Sequence, residues 1–310
     1  MSSNIHKANR DYYSSKGQGI YSDFSTFAQG SALATCNALE FVRDFSGREA
    51  PVVVCEYGVG KGDFAKTFLD AVKKRDAGLY AKTRYYLFDF SEKMLSAARE
   101  NLSAHGGACI FGKFDAVLDE PFLQFDYCRI NELLTDLPAE LYMQNEGGVY
   151  RMEMDGKALA GKLMPEPHIF ASKFLSRIDE GRIIPFNFPA EKFLLSLCRK
   201  GKGDFRVDLF DYGFYSADDV FSMDVGEWNR LMVRDYGGQL TFDLNFPQML
   251  AALLAEGRSA NVEPQKIYAE RALGFPLEFS DGKGKLDYVK AKKKEDIVED
   301  DGFYHLRIGV

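Results

Sequence analysis

The segment Val52-Val53-Val54-Cys55-Glu56-Tyr57-Gly58-Val59-Gly60-Lys61-Gly62 constrains this chain more than any other stretch. A near-continuous apolar run meets three glycines at alternate positions, and a helical pattern resumes over 64–74 with Lys73 and Lys74 in its last turn. That is strand, loop and helix, with the strand buried on both faces. Glycines between a strand and a helix N-terminus leave backbone N–H groups where a ligand can approach closely.

The unit repeats. Residues 85–88 lead to Asp89, and Ser91 can cap a helix to residue 100 with Met94, Leu95 and Ala98 on one side. Strands follow over 109–114, 127–130 and 205–210, the last ending in Asp211-Tyr212-Gly213. Strands alternating with helices imply an α/β fold, a mostly parallel sheet with right-handed crossovers and helices on both faces. Residues 11–30 carry Tyr12, Tyr13, Tyr21, Phe24 and Phe27 among Gly and Ser, which reads as an ordered aromatic loop before a helix over 31–45. After Pro138 the alternation loosens through Gly147-Gly148, Pro165, Pro167 and Pro185 before a helix over 190–199, so 141–203 reads as a helical insertion packed over the sheet. Residues 240–246 alternate like an antiparallel strand, 247–256 read as a helix, 290–301 as a solvated charged run and 303–310 as the last edge strand. One elaborated domain accounts for the chain. It comprises an N-terminal lid and helix (1–48), a ligand-binding core (49–140), a cap on the substrate side (141–203) and the C-terminal part of the sheet (204–310).

Of 310 residues, 46% are hydrophobic and 27% charged, enough to bury a sizeable core. The net charge of -7 disfavours nucleic acid and anionic membranes and suits a cationic partner. Cys36, Cys55, Cys109, Cys128 and Cys198 form no C-x-x-C pair and read as reduced thiols; His6, His105, His168 and His305 lie too far apart for a metal site. With no signal sequence and no membrane-length apolar stretch, a cytoplasmic location is expected, and a homodimer is allowed.

The loop's chemistry separates a dinucleotide from S-adenosylmethionine. A dinucleotide fingerprint needs a small third residue for helix and strand to pack above a pyrophosphate. Here Gly62 comes one position early, and Asp63 takes the expected small place. Glu56, at the strand's carboxyl end, can face an ammonium or sulfonium but would oppose phosphate. Gly58, Gly60 and Gly62 with Glu56 therefore read as a methyl-donor loop, Asp89 followed by Phe90 as the ribose site, and Asp115-Ala116 as the adenine edge. The plainer alternative is a tight strand-helix turn with Asp89 as a helix cap.

These residues resemble the MidA-like methyltransferases, which include the mitochondrial complex I assembly factor with protein arginine methyltransferase activity. Ser22-Asp23-Phe24-Ser25-Thr26 is similar to the family's Gly-Asp-Phe-x-Thr, and Glu56 to Gly62 to its Glu-x-Gly-x-Gly-x-Gly. Asp89-Phe90-Ser91 is similar to its Glu-x-Ser, and Asn131-Glu132-Leu133-Leu134-Thr135-Asp136-Leu137-Pro138 to its Asn-Glu-Phe-Phe-Asp-Ala-Leu-Pro. Asp211-Tyr212-Gly213 and Gly238-Gln239-Leu240-Thr241 also have counterparts. Thr135 stands where the family has aspartate, and Phe27-Ala28-Gln29 replaces its Ala-Pro-Glu. The resemblance implies a class I, Rossmann-like fold with a seven-stranded sheet, S-adenosyl-L-methionine as donor, S-adenosyl-L-homocysteine as product, and an arginine acceptor in a protein or as a small molecule.

A guanidinium cannot be deprotonated in advance at neutral pH. Carboxylates that fix its planar fork can concentrate a lone pair on one nitrogen and take the proton as the new bond forms. Glu132 at the end of the fourth strand is the first candidate, Asp211 its partner, Asn131 a donor contact, and Phe24 and Tyr212 aromatic walls for a cation. Each has a structural alternative: a helix cap for Glu132, a turn at Asp211, core filling by the aromatics. Transfer to another small nitrogen or oxygen acceptor, or donor binding by an assembly factor without turnover, are the competing functions.

Overall fold

The computed structural model describes residues 2–146, 148–155, 158–164, 169–236, 239–282, 284–292 and 302–309. Seven strands form its centre: β1 (Val52–Tyr57), β2 (Thr83–Asp89), β3 (Cys109–Lys113), β4 (Phe125–Asn131), β5 (Gly201–Phe214), β6 (Ala260–Pro264) and β7 (Phe303–Ile308). Across the sheet they run β3-β2-β1-β4-β5-β7-β6, and a short eighth strand, Leu244–Asn245, joins the end of β5. β1 to β5 are parallel, while β7 lies antiparallel between β5 and β6. The chain winds outward from β1 in one direction and from β4 in the other, so the carboxyl ends of β1 and β4 flank the switch point where such sheets bind ligands.

Alternation along β1 shows why the sheet carries helices on both faces. Val52 and Val54 pack with Phe41, Phe68 and Tyr85 under helices Ala32–Phe45 and Asp63–Arg75. Cys55 and Tyr57 pack with Cys128, Phe193 and Met249 under helices Phe188–Cys198 and Phe246–Ala255. Burial of each large apolar side chain stabilises by about 1.5–3 kcal/mol, so polar substitutions in β1 would be costly on either face.

Several expectations need correcting. The N-terminal aromatic segment is not a loop: helix Ser2–Lys16 precedes two 3-10 turns, Gly17–Ser22 and Phe27–Gln29. The insertion is not chiefly helical. Strands Glu140–Asn145, Gly148–Asp155, Ala158–Leu163 and Ile183–Phe186 form an antiparallel sheet, joined by one helix, Ile169–Leu175. Helix Phe188–Cys198 belongs to the core, where Phe193, Leu194 and Leu197 cover β4, so the insertion closes near residue 187 rather than 203. β7 is interior rather than an edge, because β6, unseen in the sequence, pairs along its outer side. The alternating 240–246 stretch divides. Leu240–Phe242 pairs antiparallel with Val233–Asp235, and Leu244–Asn245 pairs parallel with β5. Gly147, Pro165, Pro167, His168, Gly238 and the charged run beyond 292 lie outside the described residues. No described helix is long and apolar enough to cross a membrane.

Candidate active site

At the carboxyl ends of β1, β2 and β4 the sheet opens into a cavity of about 910 Å³, near the upper end of the roughly 300–1,000 Å³ of small-molecule sites. Gly58, Gly60, Asp89, Phe90, Asp115, Ala116, Asn131, Glu132, Phe24 and Tyr212 all line it. The expected site residues that do not line it are Glu56, Gly62 and Asp211.

The glycine loop is tied to β2. Gly58 and Val59 donate their backbone N–H groups to Phe88 O at 2.9 and 3.1 Å, and Gly60 donates to Asp89 Oδ2 at 3.0 Å. A pyrophosphate cradle needs such amides free, so this loop is built for another ligand. Gly60 has φ 55°, and a Cβ there would stand 2.6 Å from the Tyr21 hydroxyl, leaving no room for a side chain. Asp89 Oδ1 accepts from Ser91 N at 2.8 Å, and burial raises its pKa to about 6 despite these bonds. Each oxygen retains a lone pair for ligand hydroxyls. Asp115 Oδ1 accepts from Val117 N at 3.0 Å, while Oδ2 faces His6 Nε2 at 3.3 Å and Arg10 Nη1 at 3.4 Å from the N-terminal helix.

Glu56 is placed differently from the sequence expectation. It points to the opposite face of β1, where Arg129 Nη1 lies 2.5 Å from Oε1 and the Tyr85 hydroxyl donates to Oε2 at 2.6 Å. Arg129 is fully buried, with its guanidinium over the Phe64 ring at 3.1 Å. With Tyr85, the pair links β1, β2 and β4 beneath the glycine loop. Gly62 serves helix packing: at φ 80° it caps helix Asp63–Arg75, and a Cβ would lie 3.0 Å from Leu102. Asp211 sits inside β5 and is fully buried. Its carboxylate accepts from Leu134 N at 2.9 Å, Thr135 N at 3.3 Å and the Thr135 hydroxyl at 2.7 Å, thereby fixing the loop after β4.

That loop presents the second carboxylate. Glu132 is the non-glycine with positive φ among the described residues, at 47°, a conformation that costs about 1–3 kcal/mol unless its surroundings enforce it. Glu132 N donates to Phe210 O at 2.8 Å, while Oε1 accepts from the Thr26 hydroxyl, Phe27 N and Asn131 Nδ2, each at 2.9 Å. All three bonds fall on Oε1, which leaves Oε2 for a ligand. Burial pushes the Glu132 pKa up to about 7, with Thr26, Asn131 and the backbone N–H groups of Phe27 and Ala28 pulling the other way.

Sequence reasoning missed the other polar groups of this end. Asp136 accepts from the Tyr13 hydroxyl on Oδ2 and from Gln239 Nε2 on Oδ1 at 2.7 Å. Burial first, then the Glu132 and Asp89 charges, raise its pKa to about 7. Asn9 donates to Asp136 O and Leu240 O and accepts from Leu240 N, fastening helix Ser2–Lys16 across the cavity. Arg234 pairs with Asp243 and lies 4.7 Å over the Tyr212 ring, and Phe24 packs at 5.6 Å against Tyr236. A helical reading of residues 2–16 would have drawn attention to Asn9 and Tyr13, which lie about one helical turn apart on one face.

The cavity's orphan polar atoms fit a methyl donor with a charged amino-acid tail. Asn131 Oδ1 is buried without a hydrogen-bond partner among the described residues, an open acceptor beside the glycine loop. Residues 36–222, more than half of the chain, match the family model described as "Putative S-adenosyl-L-methionine-dependent methyltransferase". The chain belongs to that family. It is a methyltransferase whose donor is S-adenosyl-L-methionine. Its fold is similar to that of a Burkholderia thailandensis protein bound to S-adenosyl-homocysteine, with a TM-score of 0.65, 18% identity, and coverage of 93% of this chain and 79% of that one. A native structure of a Burkholderia thailandensis protein gives a TM-score of 0.63 at 17% identity, covering 92% of this chain and 80% of that one. DhpI in its SAM-HEP complex matches over 100% of both chains with a TM-score of 0.53 and 14% identity. Among curated proteins none matches. One cavity is thus lined by Gly58, Gly60, Asp89 and Asn131 and also by Glu132, Asp136 and Tyr212.

Proposed function

We propose that this methyltransferase modifies a terminal nitrogen of an arginine guanidinium, in a protein or as the free amino acid, with Glu132 as its catalytic residue. The observation that carries the reading is the Glu132 carboxylate, held by three donors on Oε1, with Oε2 left for a ligand. Bound S-adenosyl-L-methionine supplies an electrophilic methyl on a sulfonium. Gly58, Gly60, Asp89, Phe90, Asp115, Ala116 and Asn131 would hold it. Glu132 Oε2 fixes the guanidinium fork, so that one nitrogen lone pair points along the bond to be broken. As the N–CH3 bond forms and the S–CH3 bond breaks, that nitrogen's proton passes to Glu132, and S-adenosyl-L-homocysteine leaves as a neutral thioether. Phe24 and Tyr212 wall the acceptor, while Glu56 and Asp211 act as positioning residues. A carboxyl poised near 7 also suits a neutral nitrogen or hydroxyl acceptor, which is the second reading.

The deciding experiment incubates purified protein with labelled donor and arginine, arginine peptides or cell extract, followed by mass spectrometry of labelled products. Methylated arginine is expected. A labelled small oxygen or nitrogen compound would move the assignment to the second reading, and donor binding with no labelled product would favour an assembly factor.

A further inference from the structure

We propose that Asp136 and Gln239 form the subsite that selects a positively charged acceptor, an inference that rests on the arginine reading. Neither residue belongs to the donor end or supplies the proton acceptor. Both line the cavity and are joined by the 2.7 Å bond from Gln239 Nε2 to Asp136 Oδ1. Gln239 Nε2 also donates to the Tyr13 hydroxyl at 2.9 Å, so the amide orientation is determined by two acceptors. That leaves Gln239 Oε1 buried, with the residue 1% exposed and no partner for this oxygen among the described residues. A buried acceptor without a donor costs about 1–3 kcal/mol, which a ligand N–H would recover. Asp136 supplies charge beside it, in a cavity that already holds Glu132 and Asp89.

An orphan carbonyl next to a carboxylate accepts two parallel N–H groups, the pattern of a guanidinium edge. A urea of the same shape offers N–H groups without charge, and its carbonyl oxygen would face acceptors. Arginine against citrulline therefore separates charge recognition from shape. The Tyr13 hydroxyl on Asp136 means that this subsite is complete only with helix Ser2–Lys16 docked.

The test is calorimetric titration of L-arginine and L-citrulline into the full chain saturated with S-adenosyl-homocysteine, with transfer assayed separately. The wild type should bind arginine at least tenfold more tightly than citrulline. Asp136→Asn should bring the two within about threefold, and Gln239→Leu should weaken arginine severalfold, both with unchanged S-adenosyl-homocysteine affinity. Undiminished preference in Asp136→Asn, or a wild type that binds neither compound or both equally, overturns the proposal. Should Asp136→Asn fail to fold, Gln239→Leu carries the test, and arginine binding at wild-type strength by that variant overturns it. Charge-selective binding without transfer to arginine would refute the proposed reaction and leave this subsite standing. Transfer with unchanged selectivity in the variants would do the reverse.

Discussion

Glu132 Oε1 accepts a hydrogen bond from the backbone N–H of Phe27 at 2.9 Å, across 105 positions of sequence. The candidate proton acceptor and the N-terminal cover of the cavity are therefore one unit. Glu132→Gln keeps an oxygen for Thr26 and Phe27 but replaces Oε2 by an amide NH2 that carries no charge and accepts no proton. Methyl transfer should fall by about 10²–10⁴, the usual contribution of a positioned general base, while S-adenosyl-homocysteine affinity stays within a few fold. Steady-state transfer beside calorimetry checks this, and a rate within threefold of wild type would remove Glu132 from the chemistry.

Asp89 is the carboxylate joined to both the glycine loop and the turn after β2, through Gly60 N and Ser91 N. Asp89→Ala would lose those bonds and the ribose contacts proposed for it. With charged hydrogen bonds contributing about 1.5–3 kcal/mol each, donor affinity should drop by roughly tenfold or more. Donor binding by fluorescence or calorimetry provides the check; unchanged affinity would sink the ribose assignment.

The Glu56–Arg129 pair predicts a different signature. Both groups are buried, and breaking one partner of a buried pair costs about 3–5 kcal/mol, or a melting-point loss of roughly 5–8 °C at this chain length. Glu56→Gln should show that loss with little change in S-adenosyl-homocysteine affinity at a temperature where it is folded. Adding Arg129→Met should restore part of the stability, because the stranded charge is gone. A large affinity loss with an unshifted melting curve would instead place Glu56 against the donor.

The parallel core was legible because its signal is local. β1, β2 and β4 are short apolar runs ending in glycine or acid, and Ser91 caps its helix by accepting from Met94 N as its position suggested. The antiparallel insertion was less visible. In the sequence Gly147-Gly148 and Asp155-Gly156 stand eight residues apart, a spacing that suits a hairpin, yet the stretch between them mixes polar and apolar residues. Glu56 shows a limit of another kind. Alternation along β1 puts it on the face of Val52 and Val54, but the partner it meets there, Arg129, is 73 positions away and unmarked by any motif. Asp136 and Gln239 meet only after the chain has folded, over 103 positions.

Burial raises the pKa of Asp136 from 3.8 to about 7, and those of Glu132 and Asp89 to about 7 and 6. The folded, donor-free chain thus binds more protons than the unfolded chain between about pH 4 and 7. The stability these groups contribute is full below pH 4 and is lost as pH rises through 7. Asp208 and Glu263 are shifted the other way, Glu263 to about 2, so their stabilising effect is already complete above pH 5. Asp136→Asn removes one raised group and leaves the rest. Its melting point minus that of wild type should therefore grow from pH 5 to pH 8, by about 2 °C or more. Saturating S-adenosyl-L-methionine, with its cationic sulfonium, should shrink the difference by stabilising the ionised carboxylates. Paired thermal scans across that pH range decide the matter: a difference that stays constant or narrows would mean that Asp136 is no more costly to ionise in the folded chain than in water.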